Sequence, residues 1–293
     1  MTALAPSSRA DGILARTRRA DGSSRIGSIG AHGLLIVTSF IVLGPLLWIV
    51  RTALVDRYEA YKIPPVLGAS LSLDSFHQIF SVDEFTPYIV NSLLVATGVT
   101  ALALLLGAPA AYAIARYRTG GAPLRIGILI GQMFPPIVLV VPIFVIARSI
   151  GQTDTISVLI VAYLSSNIAF VIWSLVGFFS SIARDSEEAA LIDGCNQLQA
   201  IRHVLLPLSL PGLFAAAVIS FILSWNEFLF ALELTGPVAR TFPVAIASLV
   251  STHGVQIGPT CAAVTAIAIP TAGFALIIRK FLIGGVTLGG VKG

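Results

Sequence analysis

Two groups of polar residues interrupt an otherwise apolar chain of 293 residues. The first is a 24-residue island, residues 188–211, set between two long hydrophobic segments; from Glu187 it reads EEAALIDGCNQLQAIRHVLLPLSLP. Asp185 and Ser186 suit an N-cap, and Glu187 and Glu188 then fall in a first helical turn, where acids are favoured. Ala189 and Ala190 offer a small face for close approach, Asp193 follows, and Gly194 suits the residue just past the helix end. Asn196 can open a second helix whose apolar stripe is Leu198, Ile201 and Leu205. After Leu206, Pro207 is expected to stop that helix and Pro211 to start the next segment. Two short helices at an angle make a knob, and a knob can enter a groove on a soluble partner. An amphipathic loop resting on lipid headgroups is the alternative.

The second group is Trp225, Asn226 and Glu227, where an apolar helix should still be in or near a bilayer. A carboxylate there is costly, so it should face protein or water and mark a function. An aromatic face beside an amide and a carboxylate can bind a sugar; a polar contact between subunits, or a gate, would use the same residues. Asn167, with Gln132, Tyr163 and Trp173, is a weaker candidate for lining a pathway, helix packing or interfacial anchoring being the alternative.

Composition sets the class in which these groups must act. Hydrophobic residues make up 56% and charged residues 11%, against about 25% charged in a soluble domain, and mean hydropathy is +0.92. The chain reads as an all-α, multi-pass membrane protein. Uncharged runs long enough to span cover residues 26–50, 86–115, 126–147, 155–183 and 204–226, with a last run at 241–278. The last run is too long for one helix and is broken by Pro243, Gly254, Gly258 and Pro259. Its membrane part is placed at 260–278, with a surface segment before it, which makes six spans. Residues 1–33 are polar, Arg-rich and aperiodic and read as a mobile tail. Residues 34–293 form the membrane domain, with the loop at 184–211. With the N-terminus inside, 13 of the 18 Lys and Arg residues fall on the inner side and 5 on the outer, as the positive-inside bias requires. Both termini and the island are then cytoplasmic.

Several chemistries lack support. The four His are isolated, and the two Cys, Cys195 and Cys261, fall on opposite sides of the membrane. No phosphate-binding Gly-rich loop with Lys-Ser/Thr occurs, so the chain is not expected to hydrolyse ATP, and no cofactor or metal is expected on it. The scattered basic residues do not form a nucleic-acid-binding stripe.

Glu188, Ala189, Ala190, Asp193, Gly194, Leu206 and Pro207 resemble the EAA loop by which permease subunits of bacterial ABC importers seat against their ATPase. The likeness extends through AYAIARYR at 111–118, FPP at 134–136, PIF at 142–144 and GQTDT at 151–155. It continues through SWNEFLFAL at 224–232 and GGVKG at 289–293, so that about residues 85–293 are covered. One departure is Ala183, where the family often has Pro. The last two segments are similar to the second permease of maltose- and trehalose-type carbohydrate importers. This resemblance implies the type I importer permease fold in the bacterial cytoplasmic membrane. It also implies a heterodimer with a second permease, two ATPase subunits that hold ATP and Mg, an extracellular solute-binding protein or lipoprotein, and a sugar as cargo. The outer loop 55–87 could meet the binding protein, and Lys292 could reach between the ATPase subunits. A proton-coupled secondary transporter, or a non-transporting membrane receptor or assembly subunit, would share the apolar composition. The charge asymmetry makes one check direct: a membrane-impermeant thiol reagent should leave Cys195 unlabelled in intact cells and label it after lysis.

Overall fold

The computed structural model describes residues 10–56, 58–66, 68–251 and 254–289, and side chains within 31–277 except 57, 67 and 251–253. The chain forms two units, residues 1–52 and 53–293. The first is built on helix α1, Ala10–Ala53, of which Ala31–Ala53 is long and apolar enough to cross a bilayer. The backbone of the tail expected to lack structure up to residue 33 is therefore helical from Ala10. A helix already nucleated by the span needs no new nucleus to extend, and Ala, Arg and Leu favour the extension, whereas Gly12, Gly22, Gly27 and Gly30 each oppose it by about 1 kcal/mol.

In the second unit, α2 (Asp74–His77) follows a loop of short turns and precedes α3 (Thr86–Tyr117). Next come α4 (Gly121–Met133), α5 (Pro136–Ser149) and α6 (Ile156–Ser181). The island holds α7 (Asp185–Ile192) and α8 (Gln197–Ala200), and α9 (Leu206–Trp225) leads out of it. Short helices α10 (Leu229–Leu234) and α11 (Phe242–Ser248) precede an antiparallel pair, β1 (Val250–Ser251) with β2 (Gly254–Val255). The last helix is α12 (Ile257–Gly289).

Among the described residues, five helices can cross a membrane by length and composition, and α4 with α5 forms a sixth, bent element. That pair corrects the continuous third span expected at 126–147. The two helices meet at 88°, because Pro135 and Pro136 follow one another. Proline forces its predecessor into an extended conformation, and Phe134 (ψ 122°) and Pro135 (ψ 127°) are both extended. The last span, expected at 260–278, is Ile257–Ile277 of α12; the segment before it packs inward, with Phe242 and Ala245 of α11 fully buried in one cluster with Ala262 and Ala263 of α12.

Helices α3, α6 and α9 form the centre of the second unit. Small residues let them approach closely, as membrane helices require in the absence of a hydrophobic drive. A Cβ on Gly107 of α3 would lie 2.9 Å from Val171 Cγ1 of α6, and one on Gly212 of α9 would overlap the Phe178 ring.

At the end of this bundle remote from the island, Asp154 fastens the loop after α10. Its carboxylate accepts from the N–H groups of Gly236 (2.8 Å), Val238 (3.1 Å) and Ala239 (2.8 Å), while its own N–H donates to Leu234 O (2.9 Å). Asn91 of α3 donates to the carbonyls of Val238 and Arg240, both at 2.9 Å, and Ser92 Oγ accepts from Phe242 N at 2.8 Å. Burial alone would raise the Asp154 carboxyl, but the three N–H donors, helped by Arg240, hold it below the usual carboxylate range. A depressed carboxyl adds stability that is present above its unfolded value of about 3.9 and lost as pH falls through the folded value. Thermal melts of the purified protein should therefore show Asp154→Asn lowering the midpoint at neutral pH. The same variant should remove part of the wild-type loss of stability below about pH 4.

The 184–211 island and its anchor

The island folds as two helices joined by a tight turn. Helix α7 ends in a Schellman arrangement: Gly194 N donates to Leu191 O (3.2 Å) and Cys195 N to Ala190 O (3.0 Å). The turn requires a left-handed residue, and Gly194 supplies it at φ +91°. Asn196 then caps α8 in a full capping box, its side chain accepting from Gln199 N (2.9 Å) while Gln199 Oε1 accepts from Asn196 N (2.8 Å). Both assignments match the sequence expectation.

Two expectations fail. The N-cap of α7 is Arg184, with no side-chain cap, while Asp185 already belongs to the helix. Nor does Pro207 stop the second helix. A π turn, residues 201–205, links α8 to α9, so the chain runs through Pro207 and Pro211 as one apolar helix from Gln197 to Trp225. Pro207 sits in the first turn of α9, where a missing N–H is tolerated because the wider turn upstream has already shifted the hydrogen-bond register.

The anchor of the island was not singled out from the sequence. Glu187 and Arg116 are both 8% exposed. Arg116 Nε donates to Glu187 Oε1 at 2.7 Å and its Nη2 pairs with the same oxygen, while Nη1 donates to Ile182 O at 3.1 Å. The second carboxylate oxygen accepts from the Tyr112 hydroxyl at 3.1 Å. Gln197 of α8 donates to the hydroxyls of Tyr112 (3.1 Å) and Tyr117 (2.7 Å). Arg184 closes the network by donating to Arg116 O at 2.5 Å, satisfying a carbonyl left free at the end of α3. Ala190, Ala200 and Leu205 are buried beneath these polar contacts. A signal for the anchor was present: Tyr112 and Arg116 lie four apart on one helix face at the end of a span, and a buried acid needs such a cation.

The opposite surface of the island is open. Glu188, Ala189, Asp193, Gly194, Leu206 and Pro207 are exposed, and only Ala190 of the seven motif residues faces inward. Ile192 (86% exposed) and Leu198 (74%) stand out on this surface as large apolar side chains.

The second polar group does not form one site. Trp225 is 1% exposed, stacked on Phe221 at 6.0 Å, and its Nε1 donates to Ile267 O of α12 at 3.1 Å. Buried by this chain's own residues, the ring is not open to a sugar. Asn167 is buried too, donating to Tyr163 O (3.1 Å) and accepting from Ser220 Oγ (3.0 Å), and it ties α6 to α9. Asn226 is exposed, with its amide bonded to Ile222 O at 2.8 Å. Glu227 turns inward and receives the N–H groups of Phe230 (3.0 Å) and Ala231 (3.4 Å) at the start of α10. The buried Tyr163 hydroxyl faces this carboxylate, but neither it nor the Thr241 hydroxyl completes a hydrogen bond. Gln132 and Trp173 are exposed on the chain's surface, and Lys292 lies outside the described residues. Among the described residues no cluster of His, Cys, Asp and Glu could hold a metal ion.

Removing one member of a buried ion pair strands the other and costs about 3–5 kcal/mol. Glu187→Ala and Arg116→Ala should each lower the melting midpoint of the purified protein well beyond Glu188→Ala. The double variant Arg116→Ala/Glu187→Ala should cost less than the sum of the two singles. Additive losses would show that the pair does not hold the island.

Comparison with known proteins agrees with this geometry. Residues 103–282 match the family described as "Binding-protein-dependent transport system inner membrane component". The trehalose transport system permease protein SugB of Mycobacterium tuberculosis is 39% identical over 85% of this chain and 92% of its own. The trehalose/maltose transport system permease protein MalG of Thermococcus litoralis is 32% identical, over 88% and 94%. Among solved structures, a chain of a bacterial ABC transporter involved in the import of the acidic polysaccharide alginate superposes with a TM-score of 0.73 at 21% identity, covering 88% of this chain and 97% of that one. The fold is that of a type I ABC importer permease, and the chain belongs to the family of binding-protein-dependent transport system inner membrane components, multi-pass proteins of the inner membrane.

Proposed function

We propose that this chain forms half of the pathway of an ATP-driven sugar importer and takes its mechanical input through the 184–211 island. The carrying observation is the two-sided build of that island. Its inner side is locked to α3 by Glu187 and Arg116, and its outer side exposes Ile192 and Leu198 beside Glu188. A rigidly held knob with an apolar tip suits a groove on an ATPase subunit, which would hold ATP and Mg. The names of the trehalose and maltose relatives support a carbohydrate cargo. A second permease completes the pathway in this reading, with two ATPase subunits on the island's side and a solute-binding protein at the Asp154 end. The Lys and Arg distribution supports cytoplasmic termini and a cytoplasmic island. Asn226 is the exposed member of the second polar group and the residue best placed to meet the cargo, with Glu227 shaping the break behind it.

Gly194→Val places a β-branched residue at φ +91°, and Glu188→Lys reverses an exposed charge in the first turn of α7, about 1 kcal/mol at that helix end. Both variants should insert normally, yet fail to retain the ATPase and lose sugar-stimulated hydrolysis and uptake in reconstituted vesicles. Wild-type ATPase retention, hydrolysis and uptake in both would remove the island from coupling.

A further inference from the structure

A cleft of about 840 Å³ opens where the end of α3, the start of α4 and the end of α6 meet, and four arginines line it: Arg116, Arg118, Arg125 and Arg184. No carboxylate is among its lining residues. Glu187, outside the lining, neutralises one of the four through Arg116, which leaves three uncompensated arginines around the space. Arg184 and Arg125 are only partly occupied, each donating through one Nη2 to a backbone carbonyl, at 2.5 and 3.4 Å. The Arg118 side chain has no hydrogen-bond or ion-pair partner among the described residues. Three guanidinium groups converging on one concave site, with no carboxylate lining it, give it a local positive potential that attracts an anion.

We propose that it holds the phosphate headgroup of an anionic phospholipid. The location decides for lipid over a soluble anion or an acidic protein surface. The cleft sits at the ends of three apolar helices, and its α4 wall has no buried residue along its whole length. Leu124, Ile126 and Ile130 of α4 are 41%, 55% and 55% exposed and lead away from the cleft in the direction acyl chains would take. Basic pockets between spans bind acidic headgroups in this way. Arg116 serves both the island anchor and the cleft, so an occupied cleft would also stiffen the anchor.

The test is native mass spectrometry of the full-length protein in a neutral detergent, titrated with phosphatidylglycerol or phosphatidylcholine. The wild type should prefer phosphatidylglycerol. Each arginine near an anionic headgroup is worth about a factor of five, so Arg118→Gln should lower that preference about fivefold and Arg118→Gln/Arg125→Gln about 25-fold. Arg202→Gln, on the island but outside the cleft, should leave it unchanged. Arg118→Gln removes no internal contact, so it reports even if the double variant is unstable. A preference that survives in the cleft variants, or falls equally in Arg202→Gln, would overturn the proposal. Displacement of phosphatidylglycerol by inorganic phosphate at equal concentration would do the same by showing a free-anion site. So would loss of ATPase retention with the lipid preference intact, which would mark the cleft as a protein-docking surface.

Discussion

Taking a guanidinium and a carboxylate out of water costs several kcal/mol for each ion before their attraction is counted. Arg116 and Glu187 bear that cost where the last turn of α3 meets the first turn of α7. The pair is sustained by its polar neighbours: Tyr112 on the second carboxylate oxygen, Ile182 O on the guanidinium, and Arg184 on the carbonyl of Arg116 itself. The island has few buried apolar residues of its own, with Ala190, Ala200 and Leu205 the main ones. Without the ion pair its orientation would rest on three modest side chains. With it, the direction in which Ile192 and Leu198 point is set relative to a central helix of the bundle.

A knob held this way moves with the helix that holds it. The π turn at 201–205 strengthens the linkage, since α8 passes into α9 without a loop. Displacement of the island would therefore reach two of the three central helices directly, α3 through the ion pair and α9 through the backbone. The third, α6, is bound to α9 by Asn167 and Ser220 and pressed against α3 at Gly107. Close contact through small residues leaves little room for these helices to slide independently.

At the other end of the bundle the spans do not simply stop. Helix α9 breaks at Trp225, Glu227 caps α10, and the following loop returns to Asp154, Asn91 and Ser92. In a membrane protein such irregular backbone survives only where its polar groups are satisfied internally. Asp154 meets that need with one carboxylate for three N–H groups. The closure of this end thus depends on a charged acceptor from one loop and amide and hydroxyl groups from α3.

Much of the architecture was legible in the sequence because the bilayer makes span length and charge asymmetry visible in composition alone. The EAA-like spacing and the roles of Gly194 and Asn196 were legible too, since a left-handed turn and an N-cap are local demands that few residue types meet. What remained hidden depended on contacts between segments distant in sequence. Glu187 and Glu188 are neighbours with the same chemistry, and only the packing of α7 on α3 decides that the first is buried and paired while the second faces out. Trp225 and Asn167 read as pathway residues because polar and aromatic groups in a span suggest a ligand; tertiary structure gave them the Ile267 carbonyl and Ser220 instead. Prolines showed the same limit in both directions. Pro135 and Pro136 broke a span expected to be continuous, whereas Pro207, expected to stop a helix, was absorbed by a π turn. The sequence alone determined which residues could break, cap or carry charge; which of them did so was decided by whether a partner from another helix lay within hydrogen-bonding distance.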